Sequence, residues 1–254
     1  MPAVSFAVAF AALVGLAVGS FLNVLVWRLP RGESLSHPGS HCPACGHAVR
    51  PRDNVPVLSW LALRGRCRDC AQPISARYPL VEAATAALWV AVVVVLWDDA
   101  AAIALGLVLV TLMVAVVPID LEHRLILNRL TYPAAVLAPV IGLLLAPDFV
   151  PEQLIAGLAA GGFFLLAALA YPAGMGLGDV KLATVMGLYL GRAVAPAIFV
   201  ALILGVIVGL AVIVRQGRQR GRKAQIPFGP FLAGGSVLAI FVGDELEDAY
   251  VATL

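Results

Sequence analysis

The sequence predicts an all-α, polytopic membrane helix bundle of about eight transmembrane helices, with one small polar domain on the cytoplasmic side. Three observations predict it. Of 254 residues, 61% are hydrophobic and only 13% charged, where a soluble domain carries about a quarter charged residues. The hydrophobic residues gather in long runs rather than in alternating or 3.6-period patterns. The basic residues gather in some of the loops between those runs and avoid the others. A net charge of +2 is too small to point to nucleic acid as a partner.

The apolar runs cover 4–26, 83–97, 100–117, 132–146, 154–171, 194–214 and 228–242, and several reach or approach the ~20 residues that cross a bilayer. The first is too long for the apolar core of a signal peptide and ends in Asn23-Val-Leu-Val-Trp-Arg28 rather than a small-residue cleavage site, so it is expected to remain as the first span. Eight arginines lie between Arg28 and Arg77; Arg124 and Arg129 follow the third run; Lys181 follows a glycine-rich turn; Arg215, Arg218, Arg220, Arg222 and Lys223 follow the run that ends at 214. The loops around Asp98-Asp99, Asp148-Glu152 and the tail 244–248 are acidic. Placing all basic residues but Arg192 in the cytoplasm requires an external N-terminus and an eighth span, 181–190 continuing toward Pro196. With no water to satisfy backbone groups, such spans are helices. The expected organisation is a first transmembrane helix (1–27), a cytoplasmic domain (28–78) and a transmembrane domain (79–254), with the lipid bilayer as a constant partner.

All four cysteines fall in the polar segment, as Cys42-Pro-Ala-Cys45 and, after 21 residues, Cys67-Arg-Asp-Cys70. Two C-x-x-C pairs so spaced match the two knuckles of a structural zinc site, each biting one ion from a tight turn. A closed four-sulfur shell holds a fold and does no chemistry on water. Two disulfides or free thiols are the alternatives; the cytoplasm disfavours disulfides, and a metal would compensate for the small core of so short a domain. His41 and His47 flank the first pair as alternative ligands. The predicted domain is therefore a small cytoplasmic zinc-binding domain with Zn2+ as its structural cofactor.

Ionisable residues at membrane depth are functional candidates by default. Glu82, at the start of the second run, is expected at the interface, where its cost is small. Asp120 directly follows the third run, in Val117-Pro-Ile-Asp120-Leu-Glu-His-Arg124; it could equally pair with Arg124 on one helix face. Asp179 lies in Gly174-Met-Gly176-Leu-Gly178-Asp179-Val-Lys181. It could be a helix N-cap, or Gly176 and Gly178 could admit an extended peptide beside its carboxylate. The charge topology brings both acids to the cytoplasmic face at one depth. Two such carboxylates can share a proton, one activating a water and the other polarising a carbonyl and protonating the leaving amine. No H-E-x-x-H and no G-x-S-x-G offers a competing catalytic set.

Here the chain resembles a known family. Gly19-Ser-Phe-Leu-Asn23, Arg28-Leu-Pro, the two C-x-x-C pairs, Asn54-Val-Pro-Val-Leu-Ser-Trp-Leu, Leu63-Arg-Gly-Arg-Cys67 and Ile74-Ser-Ala-Arg-Tyr-Pro-Leu-Val-Glu82 are similar to the N-terminal part of type IV prepilin peptidases, which are G-x-G-D-type intramembrane aspartic peptidases. The stretch from Asp120 to Asn128 and Gly176-Leu-Gly178-Asp179-Val-Lys-Leu resemble that family's two aspartate motifs. The resemblance implies Asp120 and Asp179 as catalytic residues, with prepilins or pseudopilins as substrates cut after a glycine on the cytoplasmic side. It also implies N-methylation of the new N-terminus from S-adenosylmethionine, an activity associated in the family with the cysteine-bearing domain; no G-x-G-x-x-G supports it independently. Asn128 stands where some members have a second aspartate, which leaves Glu122 as the only other local carboxylate. Rival readings are another G-x-G-D intramembrane peptidase of the presenilin kind, a proton- or metal-coupled transporter using the same two acids, and an inactive membrane scaffold.

Overall fold

The computed structural model describes residues 2–172, 174–217 and 226–251, with side chains to residue 243. The described residues are helical apart from turns and two isolated β-bridges, and they form two compact units, Met1–Trp97 and Asp98–Leu254.

In the first unit, α1 (Pro2–Arg28) and α3 (Arg77–Val95) run antiparallel, with the five-residue α2 (Leu58–Ala62) in the connecting loop. The register follows from small residues four apart. A Cβ added to Gly15 would lie 2.8 Å from the Ala86 Cα, and one added to Gly19 would lie 2.6 Å from the Glu82 Cα. One turn further, Asn23 Nδ2 donates to the Tyr78 carbonyl at 3.0 Å. Positions 15, 19 and 23 thus climb against 86, 82 and 78. Apolar side chains gain nothing by leaving lipid for each other, so membrane helices associate by close packing and hydrogen bonds, and small residues permit the approach.

The polar loop is tied to the helices through buried charge. The Arg28 guanidinium, 6% exposed, donates to the carbonyls of Ser34 (2.8 Å) and Pro38 (2.6 Å). Glu82 is 7% exposed and accepts the Val57 N–H at 2.7 Å, so it has a structural partner beyond the interfacial position expected for it. Trp60 Nε1 donates to the Ile74 carbonyl. Buried ionised groups are retained only where such bonds compensate their lost hydration.

The second unit contains α4 (Ala100–His123), α5 (Asn128–Leu145), α6 (Val150–Ala170), α7 (Leu177–Leu190), α8 (Val194–Gln216) and α9 (Gly229–Val251). They enclose one core centred on Leu109, Met113, Phe164, Leu182, Met186 and Leu232. Helices α6 and α7 interlock through glycines: a Cβ on Gly187 would strike the Ala156 carbonyl, and one on Gly157 would lie 2.9 Å from Leu188. The buried Tyr189 hydroxyl donates to the Ala134 carbonyl at 2.9 Å and bolts α7 to α5. Helix α7 stops at Leu190 because Gly191 takes φ +57° and the Arg192 N–H turns to Glu152 Oε1 at 2.9 Å. Fourteen residues make α7 only ~21 Å long.

Among the described residues, six stretches are long and apolar enough to cross a membrane by length and composition, the last of them, Leu177–Gln216, being α7 and α8 together; Gly229–Gly243 is a shorter apolar helix. Several helices begin before the apolar runs that marked them: α3 at Arg77 rather than 83, α5 at Asn128 rather than 132, α7 at Leu177 rather than 181. Hydropathy finds the part of a helix that suits hydrocarbon, while its first turn carries polar residues into the interface. The basic stretch expected over 215–223 lies, from Arg218 onward, outside the described residues, as do the side chains of the acidic tail 244–248.

Replacing Gly15 by Leu is expected to force α1 off α3. Overpacking of this kind costs ~1–3 kcal/mol, so the variant should melt several degrees below wild type in detergent, whereas Leu13→Ala, at a residue 68% exposed, should not.

Candidate active site and metal centre

The two candidate acids lie where α4 ends and α7 begins. Helix α4 arrives there with Pro118 inside its penultimate turn, where the missing N–H relaxes the helical ladder. It ends where Arg124 adopts φ +54° and returns its N–H to the Asp120 carbonyl at 2.9 Å. Asp120 therefore sits in the last turn, and its side chain is turned inward, 5% exposed. Its Oδ2 accepts the backbone N–H of Gly229, the first residue of α9, at 2.8 Å. Glu122, two residues on, is exposed and lies 3.9 Å from His123.

Helix α7 starts at the same end. Gly176 is its N-cap, and the Asp179 N–H donates to the Gly176 carbonyl at 3.1 Å. Asp179 is thus the third helical residue rather than the cap, and it is half-buried. The start of α7 meets the end of α4 through Gly178, which packs against Ile126 six residues past Asp120. The two glycines differ. A Cβ on Gly178 would come within 3.0 Å of Ile126, so that position must be small for α7 to pass the α4–α5 loop. A Cβ on Gly176 would find only Asp179 Oδ2 at 3.7 Å and the Gly178 N at 3.8 Å, so Gly176 borders open space beside the carboxylate. Lys181, half-buried, donates to Asn128 Oδ1 at 2.8 Å and lies 5.4 Å from the centre of the Tyr132 ring, joining the starts of α7 and α5.

In the first unit the cysteines form two turns of the same construction. Cys42 N–H donates to the His47 carbonyl and Gly46 N–H to the Cys42 carbonyl; 25 residues on, Cys67 N–H donates to the Gln72 carbonyl and Ala71 N–H to the Cys67 carbonyl. The fifth residue of each turn has a left-handed backbone, φ +72° at Gly46 and +59° at Ala71. Isolated bridges, His41 to Ala48 and Arg66 to Pro73, close the two turns. All four sulfurs lie within 4.8 Å of one another, and Cys42 and Cys70 are 3.8 Å apart. A disulfide needs ~2.05 Å. Four thiolates ~2.3 Å from one ion stand about 3.8 Å from each other, so the set could hold a metal ion. His41 and His47 are exposed and outside the cluster.

Two family models match the chain: the bacterial peptidase A24 N-terminal domain over residues 13–96 and the type IV leader peptidase family over residues 107–213. A prepilin leader peptidase/N-methyltransferase of Burkholderia pseudomallei (strain 1026b) is 36% identical over 92% of this chain and 85% of its own length. Its counterpart in Aeromonas hydrophila is 35% identical over 99% and 95%. This chain belongs to the type IV leader peptidase family. A type 4 prepilin-like proteins leader peptide-processing enzyme of Escherichia coli O78:H11 is 33% identical over 90% and 91%. No solved structure matches. Six apolar stretches among the described residues and this membership mark the chain as a multi-pass inner-membrane protein.

Sequence reasoning missed Gly229. The signal lay in Ile226-Pro-Phe-Gly229-Pro-Phe231, where a glycine between prolines opens a helix. What that helix start touches, 109 residues away, no local pattern declares.

Asn128→Asp would place a carboxylate against Lys181 Nζ. An exposed ion pair is worth up to ~1 kcal/mol, so turnover should stay within about fivefold of wild type in a peptidase assay. A larger loss would make Asn128 more than a brace for α7.

Proposed function

We propose that this leader peptidase family member removes the basic leader of type IV prepilins or pseudopilins at the cytoplasmic face of the inner membrane by a two-aspartate mechanism. The reading is carried by one observation. In a chain otherwise poor in charge, Asp120 lies in the last turn of α4 and Asp179 in the first turn of α7, whose Gly178 packs against Ile126 just beyond α4. The ionised member of the pair takes a proton from a water as it attacks the scissile carbonyl; the protonated member donates to the carbonyl oxygen and then to the leaving amine. No covalent intermediate on the enzyme is needed. Gly176, open beside Asp179, is where the backbone of an unwound substrate can lie, and Gly178 keeps α7 close enough to present it. A basic leader stays in the cytoplasm while its apolar helix stays in the bilayer, so the scissile bond waits at the interface, the depth at which both acids are expected.

In the proposed topology α1 and α3 to α9, among the described residues, each serve as one span, with the N-terminus outside and residues 28–78 in the cytoplasm. The short α7 suits that scheme if its polar N-terminal turn opens to the interface. A transporter would place its acids near mid-span; here both lie in terminal turns.

Cys42, Cys45, Cys67 and Cys70 would hold one Zn2+, which when bound cross-links the two turns and supplies no reactive position. The relatives' names include N-methyltransferase. Transfer of a methyl group from S-adenosylmethionine to the new N-terminus is accordingly part of the proposal, with 28–78 as the region expected to serve it.

Co-expression with a prepilin-type substrate tests the function. Wild type should release the leader, and Asp120→Asn and Asp179→Asn, each at equal membrane level, should lower release at least ~10³-fold. Normal cleavage by both variants would sink the mechanism. Separately, Cys67→Ser should lose bound zinc in elemental analysis and raise the protease sensitivity of 28–78; a variant that keeps full metal content would contradict the four-sulfur site.

A further inference from the structure

We infer that the backbone amide of Gly229 is a positioning group for Asp120, fixing Oδ2 so that Oδ1 is the oxygen left free for the reaction. The inference rests on the two-aspartate reading and deepens it. An N–H aimed at Oδ2 from 2.8 Å occupies that oxygen with a donor, so a proton carried by Asp120 must sit on Oδ1. The carboxyl is thereby prevented from rotating between equivalent orientations, and one oxygen is assigned to water and proton while the other is assigned to the scaffold.

The contact has room for glycine alone. A Cβ at position 229 would stand 2.6 Å from Asp120 Oδ2, 3.1 Å from its Cγ and 3.3 Å from its Cβ. All three atoms belong to one short side chain on the α4 backbone, so any larger residue must displace the carboxylate.

The amide is also held from behind. The Phe228 ring lies 6.1 Å from Phe164, which is fully buried, and 5.9 Å from Phe231. It approaches Gly205 of α8 closely enough that a Cβ there would be 3.2 Å away. The Phe228 carbonyl accepts the N–H groups of Phe231 (3.0 Å) and Leu232 (3.2 Å), locking the first turn of α9. Leu232 is itself 0% exposed. The donor that meets Asp120 is therefore set by core packing rather than by a loop, which is what preorganisation of a reacting group requires.

The test separates positioning from packing. Gly229→Ala should lower kcat for prepilin cleavage about 10²-fold, the scale of an ~1 Å misplacement of a reacting group. Its KM should stay within about threefold and its melting temperature near wild type. Gly235→Ala is the packing control: its Cβ would strike the Ala197 carbonyl on the α8 side, so it should melt lower and keep its kcat. Wild-type kcat in Gly229→Ala alongside inactive Asp120→Asn overturns this inference and leaves the two-aspartate reading standing; an active Asp120→Asn overturns the reading itself. If Gly229→Ala fails to accumulate, hydrogen–deuterium exchange decides. Between Pro227 and Pro230 only Phe228 and Gly229 carry amide hydrogens, so peptides spanning them should exchange faster in Asp120→Ala than in wild type. Equal exchange would overturn the inference.

Discussion

Burying one carboxylate at the end of an apolar bundle is the constraint around which the second unit is arranged. Asp120 is expensive there unless something replaces its lost water. Helix α4 therefore ends just past it, at a left-handed Arg124, and the first amide of α9 is brought to its Oδ2. Helix α7 is packed against α6 through glycines so closely that the height of Asp179 is fixed by the core rather than by its own loop. Phe164, Phe228 and Leu232 are in this sense parts of the site, although none is polar.

The first unit solves a different problem. Its two long helices have little to gain from apolar contact in lipid, so they meet through Gly15, Gly19 and the Asn23 bond to Tyr78. The loop they support is too small to fold around an apolar core. It relies instead on Arg28 and Glu82 reaching into it from the helix ends, and on two cysteine turns whose sulfurs are already spaced for a metal ion. Ala71 in a left-handed conformation, where the first turn has Gly46, shows how firmly the repeated turn geometry is imposed.

Much of this was legible because the relevant signals are local. The cysteine spacing carried the four-sulfur cluster, and the apolar runs carried most of the helices to within a turn or two. The glycine-rich stretch before Asp179 carried a candidate acid. What was not legible depends on distant partners. Local pattern allowed Asp179 to be an N-cap, and only the placement of Gly176 makes it the third residue of α7. Gly176 and Gly178 look equivalent in the sequence, yet Ile126 confines one and not the other. Glu82 looked interfacial because nothing nearby announces the Val57 amide. The α2 turn is too short to leave a periodic trace.

The claim on which the account turns is that Asp120 and Asp179 act as one unit. The most direct measurement compares residual prepilin cleavage by purified Asp120→Asn, Asp179→Asn and the double variant in proteoliposomes. A shared dyad predicts that the double variant is no slower than either single one, because losing one member already removes the pair's function. Losses that multiply, or a single variant that keeps the wild-type rate, would contradict it.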